Sequence, residues 1–282
     1  MGKPKFPTAS LGHLDNIESF PSGYVAPRAL RIWRPSSYDP ARKYDVVYMH
    51  DGQNLFDGSF TWNGQEWAVD RVLDPLITQG RVRPAIVVGI DNTKLRMAEY
   101  CPDDVALFLP EGVPVFDGVP PLGNSYLRFM VEEVKPYVDS HYSTYTTREH
   151  TFTIGSSGGA LISLYALCKY PEVFGGAGCL STHCTMAFPR IYEKVPLKEK
   201  ALRDFVTGHL PPAKEGFLYM DNGGRTLDET YKDAQEELNQ AIRSLGWDEQ
   251  HFTFMHYPEH SHCEKDWSAR LDVVLEFLLG KR

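Results

Sequence analysis

The sequence predicts an α/β fold with a mostly parallel central sheet and helices on both faces. Short apolar runs of strand length alternate with stretches at helical spacing from end to end, the order expected of parallel strands joined by crossover helices. Some of the runs are continuously apolar, as in Pro84-Ala85-Ile86-Val87-Val88-Gly89-Ile90, which suits a strand covered on both faces. Thr151 to Ala160 reads as a strand that turns sharply into a helix. The chain has 282 residues, no internal repeat and no low-complexity linker. One domain over 1–282 is therefore expected, with insertions at about 91–123 and 185–215.

The elements follow in order. Residues 28–35 alternate polar and apolar as a half-buried strand does. Val46-Val47-Tyr48-Met49 is a short strand that stops at His50-Asp51-Gly52. Trp67, Val69, Val72, Leu73, Leu76 and Ile77 mark a helix over 66–80, bent or broken by Pro75 and stopped by Gly80. Residues 84–90 are a buried strand, and a long Pro-, Gly- and Asp-rich loop follows. A stripe from Leu127 to Val138 predicts a helix over 126–142. Ala160 to Cys168 is apolar nearly all round, so its helix should be buried. Strands at 174–180, 216–220 and 251–257 complete the alternation, with helices up to about 245, where Thr226 and Glu229 suggest a capping box, and over 264–279. Residues 185–215 mix Pro, Lys and Glu with weak periodicity and read as an insertion over the sheet edge.

Bulk properties narrow the function. The formal net charge of −8 argues against nucleic acid as partner. No apolar stretch is long enough to cross a bilayer. The first residues, Met1 to Pro7, lack the apolar core of a secretory signal, so a cytoplasmic location is expected unless a signal has been removed. Five scattered cysteines with no close pair argue against a disulfide framework or a zinc knuckle.

Gly155-Ser156-Ser157-Gly158-Gly159 fits G-x-S-x-G, a pattern that is weak alone. A serine on such a turn has its hydroxyl pushed out at the sheet edge. It needs a base to take its proton and a carboxylate to orient that base. Asp228, with Asp221 as competitor, follows one later strand, and His262 and His260 follow the last, in the order Ser, acid, base of the α/β-hydrolase arrangement. Backbone N–H groups of Gly158 and Gln53 are candidate oxyanion donors. Asn54, Trp62 and His183 are candidate pocket residues, and Phe108, Phe116 and Phe188 are aromatic loop residues able to meet a substrate or close the core. His256, His260, His262 and Cys263 invite a metal reading, but no further ligand set accompanies them, so no metal or cofactor is expected. His50 and Asp51 read as a structural hydrogen-bonding turn.

Tyr48-Met49-His50-Asp51-Gly52-Gln53-Asn54-Leu55-Phe56-Asp57 resembles the signature of a branch of the putative esterase family. That family includes S-formylglutathione hydrolase, feruloyl and acetyl xylan esterases, enterochelin-type siderophore esterases and mycolyltransferases. Ala98-Glu99-Tyr100, Tyr126 to Phe129, Leu161 to Ala166, Tyr170 to Phe174 and His262 to Trp267 extend the resemblance over roughly 15–280. It implies an α/β-hydrolase fold and a serine carboxylesterase with a Ser157–His262–Asp228 triad. The family's Trp five residues after the histidine selects His262 over His260, and its acid shortly past a strand-end Gly selects Asp228 over Asp221. Gly158 departs from the Met often found after the nucleophile and implies a wider pocket. A small-molecule or glycan-linked ester is the expected substrate, of acylated-carbohydrate, feruloyl or siderophore type. Acyl transfer through the same acyl-enzyme, a non-catalytic binding role and homo-oligomerisation stay open at this point.

Overall fold

The computed structural model describes residues 6–116, 118–186 and 195–281. Eight strands form one sheet in the order β1-β2-β4-β3-β5-β6-β7-β8. These are β1 (His13–Phe20), β2 (Arg28–Arg34), β3 (Asp45–His50), β4 (Ala85–Ile90), β5 (Thr151–Ser156), β6 (Gly176–Leu180), β7 (Phe217–Gly223) and β8 (Phe252–Tyr257). β2 runs antiparallel to both β1 and β4, and all other pairings are parallel.

The continuous apolar runs are where expected. β3, β4, β5 and β6 are buried along their whole length. The two-residue side-chain period sends Val46 and Tyr48 into one core layer and Val47 and Met49 into the other. β1 has no such signal. It is a largely polar edge strand, held by its ladder to β2 and by ion pairs of Arg31 with Glu18 and Arg34 with Asp15.

The helices are α1 (Val69–Thr78), α2 (Arg96–Glu99), α3 (Gly123–Arg128), α4 (Lys135–His141), α5 (Gly158–Lys169), α6 (Val195–His209), α7 (Lys232–Ser244), α8 (Glu264–Ser268) and α9 (Leu271–Leu279). α1 starts later than its apolar stripe because Ala68 takes a left-handed conformation, φ 53°. The helix expected over 126–142 is α3 and α4 joined by a π-helical turn, Phe129–Val134. Pro136, just beyond, lacks the N–H that a regular ladder would use there. Every residue of α5 from Gly158 to Cys168 is buried.

The weakly periodic segment 185–215 contains α6, which buries Ala201, Leu202, Phe205 and Val206. Its lysines and glutamates hide a stripe only two residues wide. The helix expected over 264–279 breaks at Arg270, which leaves helical geometry and turns its guanidinium inward to Asp221, 2.9 Å away. Phe188 lies outside the described residues. Among the described residues, no helix is long and apolar enough to cross a membrane.

Candidate active site

Ser157 sits between β5 and α5 with φ 56° and ψ −120°. For a non-glycine residue this costs about 1–3 kcal/mol, so surrounding contacts must hold it. Its N–H donates to the Leu180 carbonyl at 3.0 Å, and its own carbonyl accepts from Leu161 and His183 N–H at 3.1 and 3.2 Å. Gly155 is required by close approach: a Cβ there would lie 2.5 Å from the Gly159 backbone.

The candidate acid and base meet at the same sheet edge. His262, in the turn after β8, pairs its Nδ1 with Asp228 Oδ1 at 2.5 Å. Asp228 is fully buried, in a short 3-10 turn after β7. Its Oδ2 accepts from Gly223 N–H at 2.5 Å and from the Ser181 hydroxyl at 2.6 Å. Burial pushes this carboxyl up, but the His262 contact and the Ser181 and Gly223 bonds outweigh it and hold it below the usual carboxylate range. A Cβ on Gly223 would come within 2.8 Å of Asp228 Oδ2, which is why the strand-end glycine precedes the acid. Asp221 faces Arg270 instead, and burial pushes it up to about 6 although Arg270 opposes the shift.

Thr226 does not cap a helix. Its φ is 59°, and its hydroxyl accepts the His262 N–H at 2.9 Å, tying the base loop to the acid loop. His260 and His256 are committed elsewhere. The His260 ring packs on Tyr257, and His256 pairs with Asn222 at 2.7 Å.

Ser157 and His262 line one cavity of about 710 Å³, which Gln53, Asn54, Trp62 and Arg96 also line. The Gln53 side chain accepts from Asn92 N–H at 3.1 Å. Among the described residues, neither Gln53 N–H nor Gly158 N–H reaches an acceptor. Trp62 stands 83% exposed at the rim. Asn54 is buried and gives its amide to Glu264 at 3.2 Å, while Asn63 gives its amide to the other Glu264 oxygen at 2.9 Å. His183 is not on the cavity wall. It is buried, its ring stacks on Phe116, and its Nδ1 meets the Tyr231 hydroxyl at 2.6 Å. Burial pushes it down to about 3, so it is neutral. Phe108 packs edge-on against Phe205, so neither Phe108 nor Phe116 borders the cavity.

The space beside Gly158 is not simply empty. A Cβ there would meet Arg96 Nη1 and Tyr100, each at 3.5 Å. Arg96 is held by a fork onto Asp51, with Nε and Nη2 at 2.7 and 2.8 Å. Asp51 adopts φ 56° and also accepts from Asn92, so the His50-Asp51 turn is built from buried hydrogen bonds. His50 bonds Tyr126 and Thr153, and burial pushes it down to about 3.

Arg96, Ser181, Tyr231 and Arg270 were not singled out as site residues from sequence. Tyr231 is fully buried, and its hydroxyl meets His183 Nδ1 behind the cavity. Arg96, Ser181 and Arg270 come from elements other than the turn that holds Asp228, so no local spacing announces them, whereas Tyr231 shares that turn.

The putative esterase family matches this chain over residues 26–278. Protein YjcH of Bacillus subtilis is 26% identical over 148 residues, 52% of each chain, so the chain spans about half the length of the curated relatives it matches. Among solved structures, a ferulic acid esterase superposes with a TM-score of 0.67 at 18% identity, covering 96% of this chain and 99% of that one. The enterobactin esterase of Shigella flexneri gives 0.67 at 19% identity, covering 96% of this chain and 61% of that one. At these identities the likeness speaks for the fold. The family match spans most of the sequence and both ends of the sheet edge that carries Ser157, Asp228 and His262, and this chain therefore belongs to the putative esterase family.

Proposed function

We propose that the chain is a serine carboxylesterase working through an acyl-enzyme. The observation that carries the reading is the Asp228–His262 hydrogen bond at the wall of the cavity that Ser157 also lines. With its Nδ1–H given to Asp228, the imidazole presents Nε2 as the acceptor that a serine proton needs. Ser157 and His262 line the same cavity, and their hydrogen bond is one that tightens in the substrate complex.

Ser157 Oγ then attacks the ester carbonyl and His262 takes its proton. Asp228, held ionised, stabilises the imidazolium. The N–H groups of Gly158, at the start of α5, and of Gln53 receive the developing oxyanion. His262 returns the proton to the leaving alcohol, and water repeats the sequence in reverse to free the acid.

The cavity supports an ester with a polar alcohol part. Exposed Trp62 gives an apolar face, and Asn54, Asn63 and Glu264 give polar groups beside it. That combination suits a sugar or an aryl group bearing hydroxyls. The fold likeness to ferulic acid and enterobactin esterases points the same way. The test is fluorophosphonate labelling, expected at Ser157, with p-nitrophenyl acetate turnover lost in Ser157→Ala. Full activity in that variant defeats the mechanism. Methyl ferulate, acetylated xylan and a catecholate siderophore, assayed side by side with competing alcohol acceptors, then rank substrates and read hydrolysis against transfer.

A further inference from the structure

Behind the acid lies a buried group whose hydrogen-bond geometry permits one arrangement. Ser181 follows β6, is fully buried and has φ 48°, a left-handed conformation costly for serine. Its backbone N–H faces Asp221 Oδ1 at 3.1 Å. Its Oγ meets Trp267 Nε1 at 2.9 Å, Arg270 Nη2 at 2.8 Å and Asp228 Oδ2 at 2.6 Å.

A hydroxyl has one proton and two lone pairs, and indole and guanidinium N–H groups can only donate. Trp267 and Arg270 therefore fill both lone pairs, and the Ser181 proton has a single destination, Asp228. Oδ2 of that carboxylate is then saturated by Ser181 and Gly223, leaving Oδ1 for His262. Arg270 is itself buried and shared with Asp221, and its N–H polarises the Ser181 hydroxyl that donates to Asp228. Trp267 also presents the imidazole with an edge-to-face contact at 5.0 Å. The five-residue spacing from His262 to Trp267 thus lets one indole hold both the base and the acid's support.

On the reading that Ser157, His262 and Asp228 form a triad, we propose that Ser181 is a positioning residue, a one-way hydrogen-bond donor that, backed by Arg270 and Trp267, fixes which Asp228 oxygen serves His262. A purely structural Ser181 would affect stability and leave turnover per folded site alone.

The test uses Ser181→Gly, since glycine accepts φ 48° without strain while lacking the hydroxyl. Turnover of p-nitrophenyl acetate is normalised to sites titrated with a fluorophosphonate, and the far-downfield proton resonance of the His262–Asp228 bond is recorded. The expected result is a fall in kcat of about 10- to 100-fold, the scale of a misplacement of about 1 Å, with KM within about twofold and the resonance shifted or lost. A kcat within about threefold of the parent and an unmoved resonance overturn the proposal. Should Ser181→Gly not fold, Trp267→Phe decides: loss of its N–H should lower kcat about fivefold, the scale of one neutral hydrogen bond, and an unchanged kcat overturns the proposal. If the parent is not labelled at Ser157, the catalytic reading fails by itself. The resonance in Ser181→Gly then still decides whether Ser181 orients the pair.

Discussion

Asp228→Asn tests the acid at the level of single atoms. Oδ2 now accepts two hydrogen bonds, from Gly223 N–H and the Ser181 hydroxyl, and Oδ1 accepts one from His262. An asparagine offers one oxygen and one NH₂. Placing the NH₂ at the Oδ2 position would set donor against the Gly223 N–H, which cannot reverse its role. The oxygen therefore keeps that position and the NH₂ faces His262 Nδ1. That forces the proton onto Nε2, the atom that must accept from Ser157. The expected loss in kcat is about 10³- to 10⁴-fold, equivalent to about 4–5.5 kcal/mol of barrier. KM should stay within a few fold, because Asp228 does not line the cavity. The assay is p-nitrophenyl acetate hydrolysis per titrated site, with Asp221→Asn in parallel. Asp221→Asn leaves the buried Arg270 poorly matched and should cost about 3–5 kcal/mol of stability while kcat per folded site changes less than about tenfold. A tenth of the parent kcat retained in Asp228→Asn, or a larger loss in a folded Asp221→Asn, would rule out Asp228 as the acid.

Other perturbations read the rest of the molecule. Stability against pH should be nearly level from about 6 to about 4 and then fall steeply. His50 and His183, both pushed down to about 3, favour unfolding as pH drops below their unfolded value near 6.5, whereas Asp91 and Asp221, both pushed up to about 6, oppose this until about pH 4. Below that only the histidines remain and stability falls by a few kcal/mol per pH unit, and Asp51 and Asp228, held below the usual range, add to the loss. Urea titrations at half-unit intervals check this, and a steady decline from pH 6.5 contradicts it. Trp62→Ala should raise KM for methyl ferulate about 5- to 10-fold, leave p-nitrophenyl acetate unchanged and leave Tm unchanged, since the ring is 83% exposed. Gly155→Ala should lose about 1–3 kcal/mol or more, because its Cβ would sit 2.5 Å from backbone, whereas Gly158→Ala meets ordinary contacts at 3.5 Å and should fold about as well as the parent. Equal urea midpoints for these two variants would refute the packing argument.

The parallel sheet was legible because central strands buried on both faces must be apolar throughout, as Val46 to Met49 and Ala85 to Ile90 are. The turn at Ser157 was legible because the close approach of Gly155 to Gly159 demands glycine in a local pattern. His262 and the oxyanion candidates followed from loop positions in the strand order and from family resemblance. β1 was hidden because its stability comes from a ladder to β2 and surface ion pairs, which leave no apolar period. α6 was hidden because a narrow buried stripe among lysines and glutamates scores weakly at any period.

Local sequence thus determined where the chain could be a buried strand, where it had to turn, and which side chains could serve as nucleophile, acid and base. Only the tertiary structure decided between partners. Asp221 lies within β7 and Asp228 in the turn after it, and in sequence only the strand-end glycine hints at which one serves His262. Arg270, 49 residues further on, takes one, while His262, Ser181 and Gly223 converge on the other. His183 looked like a pocket residue by its place after a strand, yet Phe116 and Tyr231 bury it. A buried polar atom takes whichever partner packing brings within about 3 Å, and that proximity is set by how distant elements cross, not by the residues beside it in the chain.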